Sequence, residues 1–109
     1  MEIKEQSRQF SKKEVYKLTR GQSINMKDAI GTAFEPDGYI LYEEENSRGE
    51  QVEILAVLSK EGSVYSTMSA TFKREFDYLW TLMDGDPFTL AVIGGVTKNN
   101  RDYVSCTLA

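Results

Sequence analysis

Between Ser69 and Met83, Phe72, Phe76, Leu79, Trp80 and Met83 fall at i, i+4, i+7, i+8 and i+11. That spacing is one face of an α-helix. Lys73, Arg74 and Asp77 lie on the other side. Ser69 or Thr71 supplies an N-cap oxygen, and Asp84-Gly85-Asp86-Pro87 stops the helix, because Gly tolerates the left-handed turn and Pro cannot continue it. The segments around this helix read as strands, so a single helix has to be seated against a sheet.

Upstream, Ile30 to Glu43 is extended and broken at Pro36-Asp37-Gly38, a turn or bulge signal. Asn46-Ser47-Arg48-Gly49 forms a hairpin tip, and Gln51 to Ser59 is the clearest strand, apolar on both faces in its second half. Glu61-Gly62 turns the chain into Ser63 to Met68. Downstream, Phe88 to Thr97 is a strand with a bulge or corner expected at Gly94-Gly95. Lys98-Asn99-Asn100 then turns into Arg101 to Leu108. Ser11-Lys12-Lys13-Glu14 fits a capping box, with a short helix through Val15 and Leu18 and a strand as its alternative. The first ten residues are polar and expected to form a flexible arm.

Three antiparallel strands, a helix and two further strands is the order of a five-stranded Greek-key OB-fold barrel. The expected organisation is therefore mainly β: an arm over 1–10 and one OB-fold domain over 11–109, with one α-helix between strands three and four. A chain of 109 residues supports one hydrophobic core. Barrels of this kind grip single strands or oligosaccharides on the face of strands two and three.

Composition removes several kinds of chemistry. Histidine is absent and Cys106 is the only cysteine, so Ser-His and Cys-His nucleophile pairs and the usual zinc sites are unavailable. Cys106 shares strand phase with Val104 and Leu108 and is expected to be buried and inert. Glu43-Glu44-Glu45 reads as a solvated run that protects a strand edge, not as a metal site. No catalytic residue, metal or cofactor is expected. No apolar stretch approaches the roughly 18 residues of a membrane helix, and the N-terminus is charged, so a cytoplasmic protein without membrane contact is expected.

The net charge of −4 conceals an asymmetry. Residues 1–27 carry seven basic and three acidic side chains, and residues 28–109 carry six and fourteen. Binding to phosphates follows the local field and not the sum. Candidate contacts come from two strands and three turns. Tyr65 alternates with Ser63 and Thr67, and Tyr103 with Ser105 and Thr107, each opposite an apolar face. A tyrosine there offers a π surface worth roughly 1–3 kcal/mol per stacked base. Thr67 and Ser105 would add hydroxyls, and Arg48, Lys60, Lys98 and Arg101 would meet phosphates from the loops.

The stretches Tyr39-Ile40-Leu41-Tyr42-Glu43-Glu44-Glu45-Asn46, Gly62 to Phe72 and Arg101 to Thr107 resemble a family of small single-stranded DNA-binding proteins of bacteriophages that infect Gram-positive bacteria. The resemblance runs from about Val15 to Leu108. It implies an OB-fold that coats phage DNA during replication or recombination, as an oligomer, in the host cytoplasm. Asp86-Pro87-Phe88 is internal, so recruitment of replication proteins through an acidic tail is not expected. The expected function is sequence-tolerant binding of single-stranded DNA. The alternative is an OB-like module that docks on a replication or host protein, motivated by the acidic balance of residues 28–109.

Overall fold

The computed structural model describes residues 1–109. In chain order the elements are β1 (Glu2–Gln6), α1 (Lys12–Arg20), β2 (Ile24–Asn25), a 3₁₀ turn over Met26–Ala29, β3 (Ala33–Phe34), β4 (Pro36–Glu45), β5 (Gln51–Ser59), β6 (Val64–Thr67), α2 (Ala70–Met83), β7 (Leu90–Val96) and β8 (Asp102–Leu108). The fold is mainly β with two α-helices: α2 is the one expected between strands three and four, and α1 is the segment for which a short helix or a strand was expected.

The strands form two sheets, ordered β1-β4-β5-β6-β2 and β3-β7-β8. β3 and β4 are halves of one extended run separated at Glu35. The first half pairs with β7 (Phe34 opposite Leu90), the second with β5 (Tyr42 opposite Ile54). The anticipated irregularity at Pro36-Asp37-Gly38 is a register shift between Pro36 and Gly38. A Cβ at Gly38 would stand 2.9 Å from the Phe10 ring, so a larger residue there would displace Phe10.

These sheets do not close into a barrel. The far edge of β6 is taken by β2, which runs parallel to it with Ile24 opposite Tyr65 and Asn25 opposite Ser66. β8 therefore finds no ladder partner on that side. Thr97 N donates to Arg101 O and Ala109 N to Thr89 O, so alternation turns the backbone groups of the even residues of β8 away from β7. One of these, Val104 O, accepts a hydrogen bond from Ser69 Oγ at 3.3 Å, which bridges the open seam.

α2 follows its periodicity. Ser69 caps it by accepting from Phe72 N at 3.1 Å, and Asp84 ends it in the left-handed region at φ 44°. Phe72, Phe76 and Leu79 are buried between the sheets with Tyr39, Leu55, Val57, Leu90, Val92, Val104 and Cys106. The aromatic stripe is thus core, with Tyr39 edge-on to both Phe76 and Trp80 at 5.4 Å. Burial pushes the Cys106 thiol up to about 12, with the nearby Glu75 adding to the effect.

A second core lies on the opposite face of the larger sheet. Phe10 and Leu18 cover Ile40, Tyr42, Ala56, Leu58 and Val64 there. The capping box forms as expected: Glu14 N donates to Ser11 Oγ at 3.1 Å and Ser11 N to Glu14 Oε1 at 3.0 Å. The Ser11 backbone N–H foremost, with the Ser11 and Arg8 side chains adding, holds the Glu14 carboxyl below its ordinary range.

The N-terminal residues are not a free arm. Glu2–Gln6 pair antiparallel with β4, Lys4 reaches Glu43 at 2.6 Å, and Ser7 bonds the Tyr39 backbone. A polar edge strand gives no apolar signal, because its stabilisation comes from ladder bonds to a partner distant in sequence.

Candidate nucleic-acid interface

The outer face of β5 and β6, strands two and three of the expected barrel, is where a ligand was expected to be held. Here that face is occupied by α1 and Phe10. The consequences fall first on the two tyrosines. Tyr65 stands opposite Val57 and packs against the main core, so it points inward. Its ring lies flat on Phe34, with centroids 4.1 Å apart and planes 4° from parallel. A ring stacked on Phe34 has one π face already engaged. Tyr103 is the reverse case. Val104 and Cys106 point into the core, so Tyr103 points out, 37% exposed, with its ring against Gly95.

The hydroxyl candidates are not surface groups. Thr67 is buried and its Oγ1 accepts from Ser69 N at 3.0 Å, shaping the entry to α2. Ser105 is buried as well, a small side chain flanked on its strand face by Tyr103 and Thr107 and across the ladder by Ile93. In the sequence both alternate with tyrosines, and serine or threonine in such a pattern reads as polar surface. Thr67 shares the inward face of β6 with Tyr65, opposite Leu55 of the main core, so its pattern marked the wrong side of the strand.

The loop cations separate into two groups. Arg48 and Lys60 stand beyond opposite ends of β5, a nine-residue strand of about 30 Å, so they cannot rim one cleft. Lys60 is moreover paired with Glu35 at 3.2 Å. Lys98 and Arg101 share the tip of the β7–β8 hairpin, where Thr97 N bonds Arg101 O and Asn100 takes a left-handed φ of 59°. Neither makes an ion pair; the pairs of the molecule use Lys4, Arg8, Arg20, Lys60 and Lys73.

Two adjoining depressions meet at Tyr103 and Lys27. The first, of about 360 Å³, is the open seam itself, lined among others by Asn25, Lys27, Met68, Thr71 and Tyr103. The second lies over Gly94 and Gly95, between Lys27, Ile30, Val96 and Tyr103. Those glycines do not make the expected bulge, since β7 and β8 keep register throughout. They make room: a Cβ on Gly94 would stand 2.5 Å from Ile30 Cδ1 and 2.8 Å from Tyr103 O. Lys27 has no carboxylate partner, whereas Asp28 and Asp102 line the same depression and temper its field.

Lys27 was not singled out by strand phase or turn position. Its only signal in the sequence is membership of the basic N-terminal quarter, which the short β2 and the 3₁₀ turn carry across to the seam. No group of three or more Asp, Glu or Cys side chains converges in a way that would hold a metal ion. No helix is long and apolar enough to cross a membrane. Comparison with protein-family profiles, with curated proteins and with solved structures finds no match to this chain.

Proposed function

We propose that this chain binds single-stranded DNA without strong sequence preference and that the seam between β6 and β8 is where bases are held. The observation that carries this reading is the exposed Tyr103 ring beside the unpaired Lys27, with Lys98 and Arg101 at the next turn. A flat exposed ring accepts any base, and free cations at its margin attract the backbone. Tyr65, Thr67 and Ser105 support the site from within and make no contact with the strand.

The reading extends to the fold and the family. The run 33–45 shared by both sheets and the helix between β6 and β7 support an OB-type barrel opened along one seam. The resemblance to phage single-stranded DNA-binding proteins supplies the ligand class. On it, the protein coats DNA in the host cytoplasm during replication, as a binding protein and not a catalyst.

A titration of labelled polythymidine at several salt concentrations tests the proposal. The expected result is saturable binding with a log–log salt slope of about −0.7 per phosphate neutralised. No binding at low salt refutes it. Ile30, Met68 and Val96 are exposed around the same cleft, and this favours a second reading, a protein-docking module. Under that reading polythymidine is not bound, and Met68→Asp abolishes capture of a replication or host protein.

A further inference from the structure

Helix α1 carries a surface that its own stability does not explain. Lys12, Lys13 and Lys17 make no ion pair, and only Arg20 of its cations does, with Glu44 at 3.4 Å. Lys12 and Lys13 occupy the first turn, at the positive end of the helix dipole, where cations are disfavoured. Lys13 and Lys17 are like charges at i, i+4, an unfavourable pairing, whereas Lys17 and Arg20 themselves stand in the last turn, where the dipole favours a cation. The one acid of the helix, Glu14, is folded into the capping box and toward Arg8. Tyr16 stands in the middle of this face, four residues from both Lys12 and Arg20, and is 68% exposed. At Lys12 and Lys13 the local choice opposes the helix and no ion pair compensates it, as is expected where a surface serves a ligand.

This face is continuous with the seam. A depression of about 520 Å³ lined by Lys17, Gln22, Ser23, Ile24, Gly62 and Ser63 joins the end of α1 to β2. β2 leads directly to Asn25 and Lys27 in the seam. We infer that the exposed face of α1 is a phosphate-binding track for the same single strand, which runs from Tyr103 and Lys27 past Ile24 to Lys17, Tyr16, Lys13 and Lys12. The helix then stands in for the sheet face it covers. A polyanion is the occupant because the face has unpaired cations and no free carboxylate, and because the exposed ring suits a base. This inference rests on the seam being the primary site.

The test uses the full chain, thymidine strands of about 4 and about 15 nucleotides, within the range one such domain occupies, and Lys12→Gln/Lys13→Gln/Lys17→Gln, whose folding is checked by its melting curve. Removing three phosphate contacts should flatten the long-strand salt slope by about 2 and weaken long-strand binding about a hundredfold at about 0.1 M salt, with short-strand binding unchanged. An unchanged long-strand slope overturns the track and leaves the seam standing. Equal losses on both lengths also overturn it, because α1 would then be the whole site. Wild-type protein that binds neither strand overturns both proposals, and retention on polyglutamate instead would make an acidic polypeptide the partner.

Discussion

Substituting the two tyrosines one at a time separates a residue that holds the fold from one that holds a ligand. In Tyr65→Ala the parallel stack on Phe34 is lost along with a half-buried ring. A fully buried aromatic truncated to Ala costs about 3–5 kcal/mol, and the stack adds about 0.5–1.5. Taking half of the burial cost for a ring that is only partly buried, and adding the stack, gives about 2–4 kcal/mol. With about 2.1 cal/mol/K of unfolding entropy per residue over 109 residues, that is a fall in Tm of about 9–17 °C. Tyr103→Ala removes a ring at the surface that rests on Gly95 and has no aromatic stack, so about 1 kcal/mol, or a fall in Tm of about 4 °C, is expected. The order reverses in a polythymidine titration run well below both transitions. There Tyr103→Ala should lose about 1–3 kcal/mol, or about 5- to 150-fold in affinity, and Tyr65→Ala should bind as wild type. Circular dichroism melts and fluorescence anisotropy supply the two readouts. Equal Tm losses, or a larger affinity loss in Tyr65→Ala than in Tyr103→Ala, would refute the inward and outward assignments.

Three further outcomes follow from the packing. Leu18→Ala should destabilise the protein by about 3 kcal/mol in urea and increase binding of an apolar dye, because Leu18 is the fully buried anchor of α1 over Ile40 and Leu58; unaltered dye binding would mean α1 stays seated without it. Gly94→Ala should cost about 1–3 kcal/mol, and Ile30→Ala should restore only part of it, since the Tyr103 carbonyl 2.8 Å away does not move with Ile30; full restoration would locate the whole clash in the side chain. Stability in urea should decline as pH rises from about 9 to 11. Burial raises Cys106 to about 12, and burial also raises Tyr39, helped by Glu5, and Tyr42, helped by Glu44. The unfolded chain therefore loses these protons first, binds fewer than the native state, and is favoured as pH climbs. A flat profile would show that these groups are as accessible folded as unfolded.

The elements that sequence alone located well are those whose signal is local. The α2 stripe, its Ser69 cap, the Ser11–Glu14 box and the hairpin at Asn46–Gly49 all formed where their residues called for them. What period-two alternation could not say is which side of a strand meets the core. Around Tyr65 the polar partners suggested an outer face, but Val64 is covered by α1 and Tyr65 by the main core, so both faces of β6 are inside. Tyr103 has the same pattern and is exposed, because nothing packs over its hairpin as α1 packs over β6. The pairing of β1 and the parallel contact of β2 depend on partners distant in sequence, and neither strand has an apolar pattern to announce it. For the site, the basic N-terminal quarter was visible as a count and only the fold gave it an address.

The Ser69 hydroxyl has two roles at once: it receives the Phe72 amide and donates across the seam to Val104 O. A group in both places ties the first turn of the helix to the unpaired flank of β8. Amide exchange at Phe72 should therefore report how often the seam gapes, although Phe72 itself is sealed in the core. A strand lying across the seam would slow that exchange from outside, without touching the residue that reveals it.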